Sequence, residues 1–210
     1  MFKSSFVKPA GACVAAFALA ISLQASGASA ATHSAPKTAI SSSALAIKAG
    51  AIIGKLYVPR YGKSYHRTIA EGTDPNVLYG PGLGHYVGTE MPGDLGNFAI
   101  AGHRLANGGP MKNIDKLRVG DLAFVLTNKT WYEYTFLAGT IVKPTNVGVI
   151  YPQPEGLDGA NLDGHYMTFT SCTPPHVNTK RIVAWFSLKA TYPVSAGTPA
   201  DLKAALKKAK

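Results

Sequence analysis

The chain has 210 residues, with 21 lysines and arginines against 11 aspartates and glutamates, which gives a formal charge of +10. This length is typical of one domain, and a domain of this size can bury a full core without disulfide bonds. The sequence contains no basic stripe with interleaved aromatic residues and no nucleic-acid-binding motif, so we expect no nucleic-acid partner.

The first 30 residues have the composition of an export signal. Lys3 and Lys8 precede an apolar run over residues 10–23, and residues 28–30 read Ala-Ser-Ala, the small-x-small pattern of a signal peptidase site. The apolar run is shorter than the roughly 20 residues of a transmembrane helix. We therefore expect cleavage, with an uncleaved membrane anchor as the alternative. In either case the rest of the chain is expected to face the outside of the cell.

Composition divides the remaining chain into three parts. Residues 31–50 are rich in Ser, Ala and Thr, which is typical of a linker. Residues 51–192 form the expected domain, and residues 193–210 form a basic tail. The tail lysines either solvate a short terminal helix, for which Asp201 is a possible cap, or attract the protein to anionic polymers of the cell envelope.

Short runs rich in β-branched and aromatic residues fill the expected domain and alternate with Gly, Pro and Asn. The pattern indicates an all-β fold, either a barrel or a sandwich, of seven or eight strands. The runs that predict strands are residues 52–59, 64–70, 97–102, 122–127, 132–142, 166–172 and 181–188.

Two short helical segments are predicted between these strands. Residues 74–76 read Asp-Pro-Asn, which places a capping residue before a proline at the first helical position. Residues 111–117 have the length of one or two helical turns and end before Gly120. No internal repeat and no other amphipathic helix is found within the expected domain.

Cys172 is the most informative residue of the domain. It ends the predicted strand 166–172, and the next residues, Thr-Pro-Pro, indicate a turn. The only other cysteine, Cys13, lies in the export segment, so we expect no disulfide bond. An unpaired thiol at a strand end is a candidate nucleophile, which needs a neighbouring base or positive charge and a donor for the developing oxyanion.

Two residues are candidates for those roles. His103 follows the apolar run 97–102, much as Cys172 ends its own strand. Arg181 lies nine residues after Cys172, so an antiparallel hairpin would bring its guanidinium close to the thiol. Each residue is also compatible with a structural role, as a hydrogen-bonded histidine or as an ion pair at a strand edge.

Three other histidines have no candidate catalytic partner near them in the sequence. His33 falls in the linker, whereas His66 and His85 are expected at the surface or at the edge of the core. A serine hydrolase is poorly supported, because the chain lacks a Gly-x-Ser-x-Gly elbow.

A metal site is the remaining chemical alternative around the cysteine. His165, Cys172, His176 and Asp163 carry side chains that zinc accepts as ligands. Their spacing lacks the pair-plus-pair pattern of a zinc site, so the sequence does not favour one. The acidic residues show no calcium-loop pattern either.

Five motifs between residues 52 and 188 accompany the three candidate residues. They are Gly-Lys-Leu-Tyr-Val-Pro at 54–59, Gly-His-Tyr-Val-Gly-Thr at 84–89, Pro-Gly-Asp-Leu-Gly-Asn at 92–97, Ala-Gly-His-Arg at 101–104 and Thr-Phe-Thr-Ser-Cys at 168–172. Together with Arg181 they resemble the sortases, the cysteine transpeptidases of Gram-positive cell surfaces. The last motif departs from the usual Thr-Leu-x-Thr-Cys, but Phe169 keeps an apolar side chain and Ser171 keeps a hydroxyl. The motifs look most like class E, with class D as the near alternative.

The resemblance implies a closed or nearly closed β-barrel in which His103, Cys172 and Arg181 are catalytic and no cofactor takes part. It implies cleavage of a C-terminal Leu-Pro-x-Thr-Gly or Leu-Ala-x-Thr-Gly sorting signal between Thr and Gly, followed by attachment of the surface protein to a peptidoglycan amine. The alternatives are another cell-wall cysteine enzyme, an L,D-transpeptidase or a cysteine peptidase, and a non-catalytic exported barrel that binds wall polymer and carries an inert thiol.

Overall fold

The computed structural model describes residues 47–157 and 164–209. The predicted export segment, most of the predicted linker and Asp163 lie outside these ranges. The strands are β1 (Ile52–Tyr57), β2 (His66–Glu71), β3 (Gly82–His85), β4 (Gly96–Gly102), β5 (Leu122–Leu126), β6 (Thr130–Val142), β7 (His165–Thr173) and β8 (Lys180–Pro193). The α-helices are α1 (Pro75–Tyr79) and α2 (Ala200–Lys208). Neither helix of the described ranges is long and apolar enough to cross a membrane.

The eight strands close into a barrel in the order β1-β2-β3-β4-β7-β8-β6-β5, and β5 pairs with β1 to complete it. The predicted all-β barrel is therefore confirmed, and the sandwich alternative is wrong. All neighbouring strands are antiparallel except the pairs β2–β3 and β4–β7, which are parallel. Because β4 and β7 run in the same direction, their carboxyl ends meet at one edge of the barrel.

Strand β3 is the element that the strand pattern did not predict. Its sequence is Gly-Leu-Gly-His, and glycine has a low strand propensity. The structure explains the second glycine, because a Cβ atom on Gly84 would clash with the backbone carbonyl of Gly72. Close approach of two backbones therefore requires a residue that weakens the sequence signal of the strand.

Both predicted helical segments within the domain are confirmed. Asp74 caps α1, since its side chain accepts a hydrogen bond of 2.9 Å from the backbone N–H of Asn76, and Pro75 is the first helical residue. The second segment contains a single 3-10 turn at Ile114–Lys116. Both elements lie in connections between strands, so neither interrupts the barrel.

Alternate residues of the strands fill the barrel interior. On β4 these are Phe98 and Ile100, and on β7 they are Met167 and Phe169, all at most 1% exposed. Burial of each such side chain contributes about 1.5–3 kcal/mol. Successive side chains of a strand point to opposite faces, so the inward residues determine which residues of β4 and β7 face outward.

Helix α2 packs against the outside of the barrel. Leu202 is 1% exposed and contacts Phe124 and Trp131. The helix begins after Pro199, and Asp201 forms no cap hydrogen bond, so the predicted capping role of Asp201 is wrong. The carboxylate of Asp201 instead contacts strand β8.

Lys189 on β8 joins α2 to strand β6. Its Nζ donates to Oε1 of Glu133 and to Oδ2 of Asp201, each at 2.7 Å, and Tyr192 donates its hydroxyl proton to Oε2 of Glu133. The hydrogen bond and the charge of Lys189 hold the pKa of Asp201 below its usual range. Hydrogen bonds to Asp201 and Glu133 raise the pKa of Lys189.

We expect acidification to loosen α2. A carboxylate whose pKa is lowered in the folded state contributes stability above its unfolded pKa of about 4, and that contribution is lost as the pH falls below this value. Trp131 reports the change, because its fluorescence should shift to longer wavelength when Leu202 separates from it. Asp201→Asn should show part of this shift already at pH 7, whereas Asp94→Asn, which changes an exposed carboxylate on a loop, should not. Identical titrations of Asp201→Asn and wild type would contradict the prediction.

Candidate active site

Cys172 lies on the outer face of the barrel, one residue before the end of β7. The inward residues of β7 are Met167 and Phe169, so the alternation of the strand turns Thr170 and Cys172 outward. Cys172 is partly exposed and its thiol is free. A rigid strand therefore presents the thiol at the edge of the barrel, where a substrate can reach it.

Arg181 is the direct cross-strand partner of Cys172. Strands β7 and β8 are antiparallel, and their register pairs Cys172 with Arg181. Side chains at such positions share one face, with Cβ atoms about 4.5–5.5 Å apart. The Nη1 group of Arg181 donates to the carbonyls of Asn178 at 3.1 Å and Lys180 at 3.0 Å, which fixes the guanidinium over the turn.

His103 directly follows β4. Strand β7 lies between β4 and β8, so β4 is the neighbour of β7 on the side away from Arg181. The parallel register pairs Ala101 with Thr170, and the Ser171 hydroxyl donates to the carbonyl of Gly102 at 2.8 Å. Continuing this register places His103 beside Cys172 on the outer face. The three predicted site residues therefore come together at the ends of three adjacent strands, in the order His103, Cys172 and Arg181.

The His103 ring is held between the barrel and α1. The ring of Tyr79 lies 4.5 Å from the His103 ring, centroid to centroid, and the N–H of Met111 donates to the His103 carbonyl at 3.0 Å. The Nε2 atom of His103 is buried and has no hydrogen-bond partner among the described residues. Leaving a buried polar atom unpaired is costly, so this nitrogen is available to a partner that the described residues do not supply.

Tyr86 and Thr170 lie next to this site and were not among the predicted site residues. The Tyr86 hydroxyl and Oγ1 of Thr170 are 2.8 Å apart, and Thr170 precedes Cys172 by two positions on the same face. The sequence could have indicated Thr170, because residues two positions apart on a strand share a face. The pairing with Tyr86, 84 residues earlier, had no local signal.

A buried polar network supports residues 86–90, the segment after β3 that is called the Tyr86 segment below. The network contains His85, which is 2% exposed, so the prediction that His85 lies at the surface or at the core edge is wrong. Its Nδ1 lies 2.7 Å from Oε2 of Glu71, and its Nε2 lies 2.9 Å from Oγ1 of Thr89 and 3.1 Å from the carbonyl of Glu90. The Thr89 hydroxyl donates to the carbonyl of Tyr86, so only its lone pairs face the ring. Both ring nitrogens therefore lie within hydrogen-bonding distance of oxygen atoms of neighbouring residues.

Residues 149–157, in the connection between β6 and β7, pack on the outer face of β8, on the Arg181 side of the site. Val149 and Leu157 pack against Val183 and Trp185, and the indole N–H of Trp185 donates to the Val149 carbonyl at 3.1 Å. Val183 lies two positions after Arg181 on the same face. This apolar wall and the Tyr86 segment bound the surface on which Cys172 is presented.

The zinc alternative does not fit this geometry. His165 and Cys172 lie at opposite ends of β7, about 23 Å apart at 3.3 Å per residue, so they cannot share an ion. His165 Nδ1 instead lies 3.0 Å from the Gly93 carbonyl, and His176 is exposed in the turn before β8. Residues 47–157 and 164–209 contain no cluster of three His, Cys, Asp or Glu side chains that could hold a metal.

Comparison with known proteins points to one family. A family model described as the sortase domain matches residues 56–189. Sortase SrtE2 of Streptomyces coelicolor is 35% identical over 154 residues, which are 70% of this chain and 59% of that protein. Sortase SrtE1 of the same organism is 35% identical over 138 residues, which are 62% of this chain and 39% of that protein. The chain therefore spans less than two thirds of the length of either curated relative.

A solved structure gives the same result for the fold. Sortase E from Streptomyces avermitilis superimposes with a TM-score of 0.67 at 39% sequence identity, and the match covers 74% of this chain and 99% of that one. The agreement covers nearly the whole of that solved chain.

Proposed function

The chain belongs to the sortase family and resembles sortases of class E, and we propose that it is a cysteine transpeptidase that anchors surface proteins to the cell wall. Its substrate is a protein with a C-terminal Leu-Pro-x-Thr-Gly or Leu-Ala-x-Thr-Gly sorting signal. The acceptor is a peptidoglycan amine, and the reaction takes place at the outer face of the cytoplasmic membrane or in the wall. The observation that carries the proposal is the side-by-side placement of His103, Cys172 and Arg181 at one barrel edge.

In the first step, the Cys172 thiolate attacks the carbonyl carbon of the threonine. The electron pair of the carbonyl moves to its oxygen, and the tetrahedral intermediate collapses by breaking the Thr–Gly C–N bond. His103 gives a proton to the departing glycine amine, and a thioester between Cys172 and threonine remains.

In the second step, the acceptor amine attacks the thioester carbonyl and loses a proton to His103. The C–S bond breaks, Cys172 regains its thiolate, and the surface protein leaves with a new amide bond. Water at the same position would give slow hydrolysis.

Arg181 is suited to hold the oxyanion of both intermediates or the substrate backbone. Its Nε and Nη2 have no partner among the described residues, and it lies directly across from the nucleophile. A guanidinium presents several donors in a fixed plane, which an ammonium group cannot reproduce.

We expect Arg181→Lys to lower kcat/KM for a quenched sorting-signal peptide by about 10²-fold, within the range for loss of one oxyanion donor. A fall in kcat would assign Arg181 to the oxyanion, and a rise in KM alone would assign it to the substrate backbone. Lys180→Gln is the matched control, since it removes a neighbouring exposed cation and should change the rate by less than about twofold. Full activity of Arg181→Lys would contradict the proposed role.

A further inference from the structure

A second concave surface lies between the turn that joins β1 to β2 and the segment that follows His103. Its volume is about 210 Å³. Its polar side chains belong to Tyr61, Ser64, Tyr65, Arg67, Lys112 and Asn113, and Gly108, Gly109 and Pro110 complete the wall. Two of these lining residues are cationic and none is acidic, so the pocket has the electrostatic character of an anion site.

The cations of this pocket are available to a ligand. Lys112 is exposed and has no hydrogen bond or ion pair with any described residue. The Arg67 guanidinium lies 5.2 Å from the centre of the Tyr65 ring, and its Nη1 donates to the His66 carbonyl at 2.8 Å. These contacts hold the guanidinium in place, while its Nη2 and Nε have no partner among the described residues. A carboxylate or phosphate is the group that such donors bind best.

The groups around the pocket wall do not cancel this charge. Burial raises the pKa of Tyr61 well above its usual range, so the phenol stays neutral. Arg104 is 7% exposed and forms an ion pair of 3.0 Å with Asp115, so the nearest carboxylate is already neutralised. The remaining positive charge belongs to Arg67 and Lys112.

The pocket is connected directly to the proposed general acid and base. The wall residue Pro110 accepts a hydrogen bond of 2.7 Å from the Tyr65 hydroxyl, and the next residue, Met111, donates to the His103 carbonyl. Arg67 is on β2, whereas Arg181 is on β8, and the three strands β3, β4 and β7 lie between them on the side of the site. The pocket therefore lies on the His103 side of Cys172, away from Arg181.

The position of the pocket beside His103 suits the second substrate, the amine that accepts the surface protein. The acceptor amine must approach the thioester on the side of the base that deprotonates it, so the rest of the acceptor extends past His103. We propose that the pocket binds a carboxylate or phosphate of the acceptor and thereby selects acidic amine acceptors for the transfer step. This inference rests on the proposed function and deepens it by defining the chemistry of the acceptor.

The test compares acceptors that differ only in charge. The full chain is incubated with a sorting-signal peptide and one of four amines: a short peptide with a free carboxyl terminus, the same peptide as its amide, an aminoalkyl phosphate and the matching amino alcohol. We expect wild type to favour each anionic acceptor over its neutral match by about tenfold in kcat/KM, equivalent to about 1.4 kcal/mol. Comparing the carboxylate acceptor and its amide with the phosphate acceptor and its alcohol shows which of the two anionic groups the pocket binds.

The variant Arg67→Gln/Lys112→Gln should lose this preference and keep the rate of hydrolysis of the sorting-signal peptide in the absence of an amine. Lys129→Gln is the matched control, since Lys129 is exposed in the β5–β6 turn, at the opposite end of the barrel. Equal use of charged and neutral acceptors by wild type, or an unchanged preference in the double variant, would overturn the inference.

A binding measurement separates this inference from the proposed function. Inorganic phosphate is titrated into the full chain while the amide resonances of Gly108 and Gly109 are followed by NMR. Shifts that occur in wild type and are absent from the double variant support the pocket even if no sorting-signal peptide is cleaved. Absence of these shifts in wild type overturns it, whatever the result of the cleavage assay.

Discussion

Replacing Cys172 with alanine is expected to lower the rate of sorting-signal cleavage by about 10⁴-fold or more, the range found when a covalent nucleophile is removed. The thiol is the only cysteine sulfur in the described residues, and the proposed reaction has no other nucleophile that could form the acyl intermediate. Release of fluorescence from a quenched peptide measures the rate. Mass spectrometry of wild type during turnover should show a mass increase equal to the acyl fragment, and the variant should show none.

The fold should survive this substitution, so the loss can be assigned to chemistry. Cys172 faces outward and lies outside the buried apolar clusters, and we expect the free energy of unfolding to change by less than about 0.5 kcal/mol. An alkylating reagent should inactivate wild type by labelling Cys172. A variant that cleaves as fast as wild type would refute the mechanism, and a folded protein whose thiol resists labelling would favour the non-catalytic barrel.

Removing His85 is expected to destabilise the protein by about 1–3 kcal/mol, the usual cost of leaving a buried polar group without its hydrogen-bond partner. In His85→Leu, the Glu71 carboxylate remains buried, with 6% of its side chain exposed, and loses its partner at 2.7 Å. Urea unfolding followed by circular dichroism gives the free energy of unfolding. A marginally stable domain has only about 5–15 kcal/mol in total, so a substantial fraction of the molecules would unfold on warming.

A double-mutant cycle distinguishes loss of the His85–Glu71 hydrogen bond from simple loss of packing. If the unpaired Glu71 side chain is the cause, Glu71→Leu combined with His85→Leu should recover much of the lost stability, because replacing both partners of a buried hydrogen bond by apolar side chains costs little. His66→Leu is the control, since His66 is exposed and should change stability by no more than about 0.5 kcal/mol. Additive losses in the double variant would show that packing, and not the hydrogen bond to Glu71, dominates at this position.

Local patterns were sufficient for much of the fold. The alternation of bulky and small residues located seven of the eight strands, and Asp74 before Pro75 located the start of α1 because capping depends on adjacent residues. Strand β3 was not predicted, because close packing of Gly84 against Gly72 requires a residue with weak strand propensity. The prediction of an Asp201 cap failed because the helix begins at Ala200, one residue before Asp201, so Asp201 lies within the first turn and its carboxylate accepts a hydrogen bond from Lys189.

The sequence by itself determined that the proposed nucleophile and Arg181 lie close together. Cys172 and Arg181 are nine residues apart, and the turn signal between them leaves a hairpin as the natural connection, so their proximity is a local property of the chain.

The tertiary structure decided the position of the proposed base and of the buried Glu71–His85 pair. His103 reaches Cys172 only because β4 and β7, 69 residues apart in register, pair in parallel, and Glu71 meets His85 only through the parallel pairing of β2 with β3. Parallel neighbours require long connections, and the choice between possible strand partners depends on burial of the whole barrel interior. No short stretch of sequence contains that information.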